Sequence, residues 1–180
     1  MRKVALYGGS FDPPHIGHEA VIKALKKLEF LDEIIIMPTF LNPFKENFFA
    51  PSTLRFEWLK EIFSSDKEVK VSSFESDLGQ KVPSIVSVKH LLKEYSKVYL
   101  VIGADNLLHL SKWHNFYELN ELVTFIVASR DDIKVPSNFI RLDVNEKISS
   151  SSLREKMELS KLPKSIGKKI MHYYKEKHEK

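Results

Sequence analysis

The chain has 180 residues, 43% hydrophobic and 29% charged, with no cysteine; it can bury a real core, while disulfides, thiol catalysis, iron–sulfur clusters and cysteine-based zinc sites are excluded. The formal net charge of +4 is uneven, because residues 161–180 carry seven Lys against two Glu, a charge of +5, leaving −1 on everything before them. A basic nucleic-acid-binding body is therefore disfavoured, and the tail reads as a solvated terminal helix whose lysines suit its own C-terminal dipole. No apolar run approaches the ~18 residues of a membrane span. The opening "MRKVALYGGSF" has one short apolar run cut by glycines, which is not a signal peptide. A soluble, cytoplasmic protein is expected.

In chain order, "KVALYG" (3–8) is an apolar run stopped by Gly8 and Gly9 and reads as a buried strand. From Gly17 to Leu28 apolar residues recur at helical spacing. "EIIIMP" (33–38) is a β-branched run closed by proline, a second strand. Residues 39–52, with two prolines and two asparagines, form a loop long enough to suggest function. Ser52 or Thr53 caps a helix to about Ser64. "EVKVSSF" (68–74) alternates as a third strand, and Ser84–Glu94 is helical. "KVYLVIG" (97–103) is a fourth strand, followed by short helices around 104–111 and 115–121. Strands follow at 122–129 and 139–144, and helices near 149–158 and 163–178 close the chain.

Strand and helix alternate throughout, which predicts an α/β fold: a doubly wound, Rossmann-like, mostly parallel sheet flanked by helices, with a C-terminal helical segment. No repeat or linker divides it, so residues 1–180 read as a single domain. Ligands of such sheets sit at the carboxyl ends of strands near a switch in strand order. The two glycine-terminated ends, Gly8-Gly9 and Gly103, mark the place to look.

At the first of them stands "GGSFDPPHIGHEA". The glycines let the backbone approach a ligand, the prolines stiffen the loop, and a helix start offers free N–H groups to phosphate. His15 and His18 share one face across that start. Taken alone they could be metal ligands, a phosphate cradle or surface decoration. The metal reading lacks a third ligand beyond Asp12, and neither G-x-G-x-x-G nor a Walker lysine is present. Asp105, two residues after Gly103, is either an N-cap or a ribose acceptor; Trp113 is either core or a stacking platform. "ISSSSLR" (148–154) is either a serine cap with a surface arginine or a phosphate site whose arginine fork grips oxygens.

"GGSFDPPHIGH" resembles the G-[ST]-F-D-P-x-H-x-G-H signature of the HxGH nucleotidyltransferase superfamily, and more narrowly that of bacterial nicotinate-nucleotide adenylyltransferases. "NPFK" (42–45) with Arg55, "IGADNL…KW" (102–113) and "ISSSSLR" are similar to that family's remaining motifs, in order. Class I aminoacyl-tRNA synthetases share the HIGH letters, but this chain has no K-M-S-K-S stretch and no room for an anticodon domain.

The resemblance implies a nucleotidyltransferase of NAD biosynthesis that transfers the adenylyl group of ATP to nicotinate mononucleotide, with Mg²⁺ on the triphosphate and no metal held by the protein. It implies His15, His18 and Arg154 at the reacting phosphates. Gly8, Gly9, Phe11, Gly103, Asp105, Ser149 and Ser150 would serve ATP, the Phe11 backbone N–H also lying near the mononucleotide. Ser10, Lys45, Arg55, Ser84 and Trp113 would serve the mononucleotide, Trp113 packing on its ring. No nucleic acid or membrane partner is implied, and the oligomeric state stays open, a homodimer included. One stretch departs: "VPSIVSV" (82–88) stands where the family has S-Y-T-x-D-T-L, Pro83 replacing the aromatic and Val86 the aspartate. Acceptors kept in view are therefore nicotinamide mononucleotide and phosphopantetheine, beside a nucleotide-binding module without catalysis.

Overall fold

The computed structural model describes residues 2–129, 133–146 and 148–178, so the last two residues of the basic tail lie outside it. Six strands form one parallel sheet in the order β3-β2-β1-β4-β5-β6. They are β1 (Lys3–Gly9), β2 (Glu33–Pro38), β3 (Val69–Val71), β4 (Lys97–Gly103), β5 (Val123–Ser129) and β6 (Ile140–Asp143). The helices are α1 (Ile16–Leu25), α2 (Ser52–Phe63), α3 (Phe74–Leu78), α4 (Ser84–Leu91), α5 (Phe116–Leu122), α6 (Ser150–Glu155) and α7 (Gly167–His178).

Strand alternation sorts the core into two layers. Val4 and Leu6 of β1, Leu100 and Ile102 of β4 and Phe125 of β5 pack beneath α4 and α5. Ala5, Tyr99, Val101 and Ile126 point to the other face, under α1 and Leu59 of α2. Residues at i and i+2 share a face because the strand period is two. The chain first winds outward through β1, β2 and β3, then crosses by α4 to place β4 on the other side of β1. That reversal is the switch point, and it brings Gly8-Gly9 and Gly103 to neighbouring strand ends.

Several boundaries differ from the sequence reading. β3 is three residues, not seven, and the stretch that looked like its second half turns into α3. Ser72 Oγ accepts the Phe74 N–H at 3.2 Å, and Gly79 ends the helix at φ +62, the left-handed conformation glycine adopts cheaply. α1 stops at Leu25, where Lys27 and Leu28 tighten to i→i−3 bonds. Residues 104–108 and 110–112 are 3₁₀ turns rather than α-helix. The last predicted helix starts only at Gly167, where an added Cβ would lie 3.2 Å from Leu159 and Leu162 and press on both.

α7 is not merely solvated. Ile170 and Tyr174 are buried in a third cluster with Trp58, Leu153 and Leu162, and Lys169 Nζ pairs with Glu61 at 2.8 Å. An amphipathic face, not terminal charge, docks it.

Candidate active site

Three depressions meet at the switch point. A cavity of about 430 Å³ is lined by Gly8, Gly9, Phe44, Glu75, Ser84 and Trp113, among others. A second, of about 470 Å³, is lined by His15, His18, Gly103, Asp105, Ser149 and Ser150. Tyr7, Gly103 and Asn106 belong to both walls. A narrow crevice between the loops holds Ser10, Lys45, Arg55 and Arg154, and shares Thr39 and Asn42 with the first cavity. All the residues singled out in the sequence except Phe11 therefore fall on these walls. Gly8 and Gly9, expected beside ATP, line the cavity of Trp113 rather than that of the histidines.

The histidine wall is built by helix capping. His15 precedes α1 in extended conformation, and its Nδ1 accepts the Gly17 N–H at 3.0 Å. One turn on, His18 Nδ1 accepts the His15 N–H at 3.1 Å. The rings stack with centroids 3.7 Å apart. A ring nitrogen that accepts carries no proton, so the proton of each imidazole sits on Nε2. Burial, then the proximity of His15, hold His18 well below the usual histidine range. His18 is thus a neutral donor at physiological pH.

The glycine between them has a steric reason. A Cβ on Gly17 would lie 2.8 Å from Cε1 and Nδ1 of His15. Gly17→Ala is expected to push the His15 ring from its cap and lower kcat by about 10–100-fold, the scale of a 1 Å misplacement. Steady-state kinetics beside a thermal melt checks this; unchanged kcat would mean that the ring position is irrelevant to turnover.

Phe11 stands outside the cavities. Its φ of 51° is left-handed, a strained conformation for a side-chain-bearing residue. Its ring, 2% exposed, meets His18 edge-on at 4.7 Å and Tyr7 at 5.4 Å. Burial of the ring holds the turn, and the ring supports the histidine from below.

Asp12, considered from sequence only as a stray metal ligand, ties three segments together. Its carboxylate accepts the N–H groups of Phe49 and Ala50 at 2.7 and 2.9 Å and the hydroxyl of Tyr174. The motif loop, the long loop and α7 are fastened at one buried charge. Among the described residues, no group of three or more His, Cys, Asp or Glu converges as a metal cage.

Arg55 is 1% exposed. Its guanidinium donates to the carbonyls of Ala50, Ser10, Thr39 and Phe40 at 2.7–2.9 Å. Four of its five N–H donors are spent on backbone, which departs from the expectation of a substrate contact. Lys45 and Arg154 remain more open. Lys45 Nζ lies 3.4 Å from Ser10 Oγ. Its pKa is lowered by burial and then by Arg154, with Arg55 adding to this and Asp12 opposing. Three cations facing a crevice with one carboxylate leave a field that an anion would relieve. Arg154 bonds the Asp12 carbonyl and lies 4.2 Å over the Phe49 ring.

On the serine wall, Ser149 Oγ caps α6 by accepting the Ser152 N–H at 3.1 Å. Ser150 Oγ donates to the Pro13 carbonyl at 2.8 Å. The far end of the sequence is thereby bolted to the motif loop. Asp105 makes no cap bond: it is exposed, inside a 3₁₀ turn whose cap position is Gly103. Its Oδ1 would lie 2.6 Å from a Cβ on Gly103, so a larger residue there would turn the Asp105 carboxylate aside. Trp113 is half-buried, one side on the core and the other on the first cavity.

Sequence reasoning missed Glu75. It is 6% exposed on α3, accepts the Ser87 hydroxyl at 2.6 Å, and lines the first cavity. Burial pushes its carboxyl up to about 7, against the pull of the Ser87 hydroxyl. The serines before α3 and Gly79 after it were the available signal.

The profile of the Cytidylyltransferase-like family matches residues 6–156. The chain is 61% identical over 178 residues to the "Probable nicotinate-nucleotide adenylyltransferase" of Sulfurimonas denitrificans, covering 99% of this chain and 98% of the relative. It is 44% identical over 176 residues to the protein of the same name from Campylobacter fetus, covering 97% of each. The fold is similar to that of the Plasmodium falciparum nicotinic acid mononucleotide adenylyltransferase complexed with NaAD, with a TM-score of 0.75 over 99% of this chain and 97% of that one. At 20% identity that likeness is one of fold.

Proposed function

This chain belongs to the Cytidylyltransferase-like family, among the nicotinate-nucleotide adenylyltransferases, and from that premise we propose how its three depressions divide the reaction. The mononucleotide lies in the cavity of Trp113, its pyridine ring against the indole and near Ser84. ATP lies in the histidine cavity, its ribose hydroxyls toward Asp105. The phosphates meet between them. The observation that carries this reading is the continuity of the walls: Tyr7, Gly103 and Asn106 line both large cavities, and the cationic crevice adjoins the first at Thr39 and Asn42.

A 5′-phosphate oxygen of the mononucleotide attacks the α-phosphorus of ATP in line. The bond from that phosphorus to the bridging oxygen breaks, and pyrophosphate leaves with the electron pair. Catalysis is positioning and charge stabilisation. His15 and His18 donate from Nε2 to the reacting phosphate oxygens. Lys45 and Arg154 hold phosphate charge, with Ser149 and Ser150 beside the leaving pyrophosphate. Arg55 acts at one remove, by fixing the loop that carries Ser10. Mg²⁺ would accompany the triphosphate and supply charge neutralisation beside Lys45 and Arg154. Residues 1–180 work as one unit, and the cytoplasm, where ATP is abundant, is the proposed compartment.

The test offers ATP and Mg²⁺ with nicotinate mononucleotide, nicotinamide mononucleotide or phosphopantetheine, and follows pyrophosphate. Release is expected with the nicotinate form; none with any acceptor would favour a binding module. Trp113→Ala is expected to raise the KM for the mononucleotide about tenfold or more, from lost stacking, and to leave the KM for ATP within about twofold. Equal rises would assign the indole to the core.

A further inference from the structure

Two residues that line the first cavity each carry a buried polar atom with no partner among the described residues. Oε2 of Glu75 and Oγ1 of Thr39 are buried without a hydrogen bond, on residues 6% and 9% exposed, and both residues line that cavity. Buried polar atoms are seldom left unpaired, and an orphan beside a ligand cavity points to a partner on the ligand. Glu75 cannot turn away, because Ser87, itself 1% exposed, holds its other oxygen at 2.6 Å.

Among the described residues, no neighbouring charge pairs with this carboxyl. Tyr7, Lys112 and His114 line the same cavity. On α4, His90 stacks on Phe74 and Lys89 pairs with Glu118. On β2, Glu33 is held by Arg2 and Lys70 at the far end. On α2, Arg55 is spent on carbonyls, while Glu57, Lys60 and Glu61 are exposed. Asp77, on its own helix, is exposed and accepts from Ser73.

The geometry points to Glu75 as a residue that sets specificity for the pyridine substituent: its protonated carboxyl donates from Oε2 to the carboxylate of nicotinate mononucleotide. This rests on the placement of the pyridine ring in the Trp113 cavity. The substrate carboxylate is far the stronger acid, so the proton stays on Glu75 and the bond is charge-assisted. Were Glu75 ionised, two carboxylates would face each other in an apolar pocket, and binding would be lost. The carboxamide of nicotinamide mononucleotide reverses the polarity, donating its N–H to the ionised form. Discrimination between acid and amide therefore depends on one proton. Burial raises the carboxyl to about 7, so near neutral pH a substantial share of Glu75 carries that proton, and a bound substrate carboxylate draws the rest to the protonated form. The altered "VPSIVSV" stretch takes part directly, since Ser87 is the residue that aims Glu75.

The test measures KM for nicotinate mononucleotide, nicotinamide mononucleotide and ATP between pH 7 and 9, in the parent and in Glu75→Gln. For the acid substrate the parent's KM is expected to rise about fivefold from pH 7 to 8 and about tenfold more by pH 9, the titration of one group near 7. The KM for ATP should stay flat, and Glu75→Gln, whose amide donates at any pH, should lose the slope. Calorimetry at pH 8 in buffers of different ionisation enthalpy provides a check on the parent alone. Binding of the nicotinate form should take up close to one proton more than binding of the nicotinamide form, the phosphate being common to both. A flat KM with normal turnover, a slope retained in Glu75→Gln, or equal proton uptake would each overturn the proposal. Absence of pyrophosphate release with either mononucleotide would instead remove the functional reading on which it stands.

Discussion

His18→Ala is expected to lose on the order of 10²–10³ in kcat, the scale of one preorganised transition-state donor, and to retain its fold. The reasoning starts from the cap. Nδ1 is occupied by the His15 N–H at 3.1 Å, so Nε2 bears the proton and is the ring's free donor, on a residue that lines the second cavity. Burial and the neighbouring imidazole keep the ring neutral, so it supplies a hydrogen bond, not a full charge. Losing the cap costs about 1 kcal/mol, too little to unfold a chain with three buried clusters. The pH profile carries a second signature. A neutral donor with a depressed pKa gives no limb in kcat near 6.5; protonation enters only as pH falls well below that value. Turnover of the variant within a few-fold of the parent, with matching melts, would remove His18 from the phosphate site.

Arg55→Met is expected to fail differently, losing about 3–5 kcal/mol of stability, the usual cost of breaking a buried charged network. Methionine fills much of the volume but leaves the carbonyls of Ala50, Ser10, Thr39 and Phe40 without the guanidinium. It also strips Asp12 of a nearby positive charge. Urea unfolding separates this from a substrate contact. A loss under 1 kcal/mol together with a more than tenfold rise in KM for the mononucleotide would restore Arg55 to direct binding. Any loss of activity in a folded fraction should follow the disorder of the long loop, and so touch both substrates.

Much of the site was legible because its residues are grouped in sequence. His15, Gly17 and His18 sit within a single helix start, so helical periodicity alone places the two rings on one face. Gly8-Gly9 and Gly103 end their strands visibly. Glu75 was not legible: a three-residue strand cannot be told by alternation from a longer one, and the polar stretch after it hid a one-turn helix. Asp105 was undecided between cap and ribose acceptor; the turn geometry removes the cap, since no cap bond forms, and leaves the ribose role as a proposal. The bonding of Arg55 to backbone was hidden for a related reason. An arginine in a motif shows its charge in the sequence but not the direction of its fork.

The sequence by itself determined the strand–helix alternation, the parallel sheet and the strand ends where ligands would gather, because these follow from local periodicity and from glycine and proline chemistry. It also determined the chemistry available at those ends: imidazoles at a helix start, serines and an arginine at another, a loop lysine and an indole. Tertiary structure decided who faces whom. The crossing by α4 set β4 beside β1, bringing residues a hundred positions apart onto one wall. Asp12 and Arg55 became fasteners because burial removed water as a competing partner, leaving backbone groups to satisfy their charge. Burial acts on Glu75 in the same way: a carboxyl shut off from water, with one oxygen held by Ser87 and the other without a partner, is pushed up to about 7, far above the usual carboxylate range.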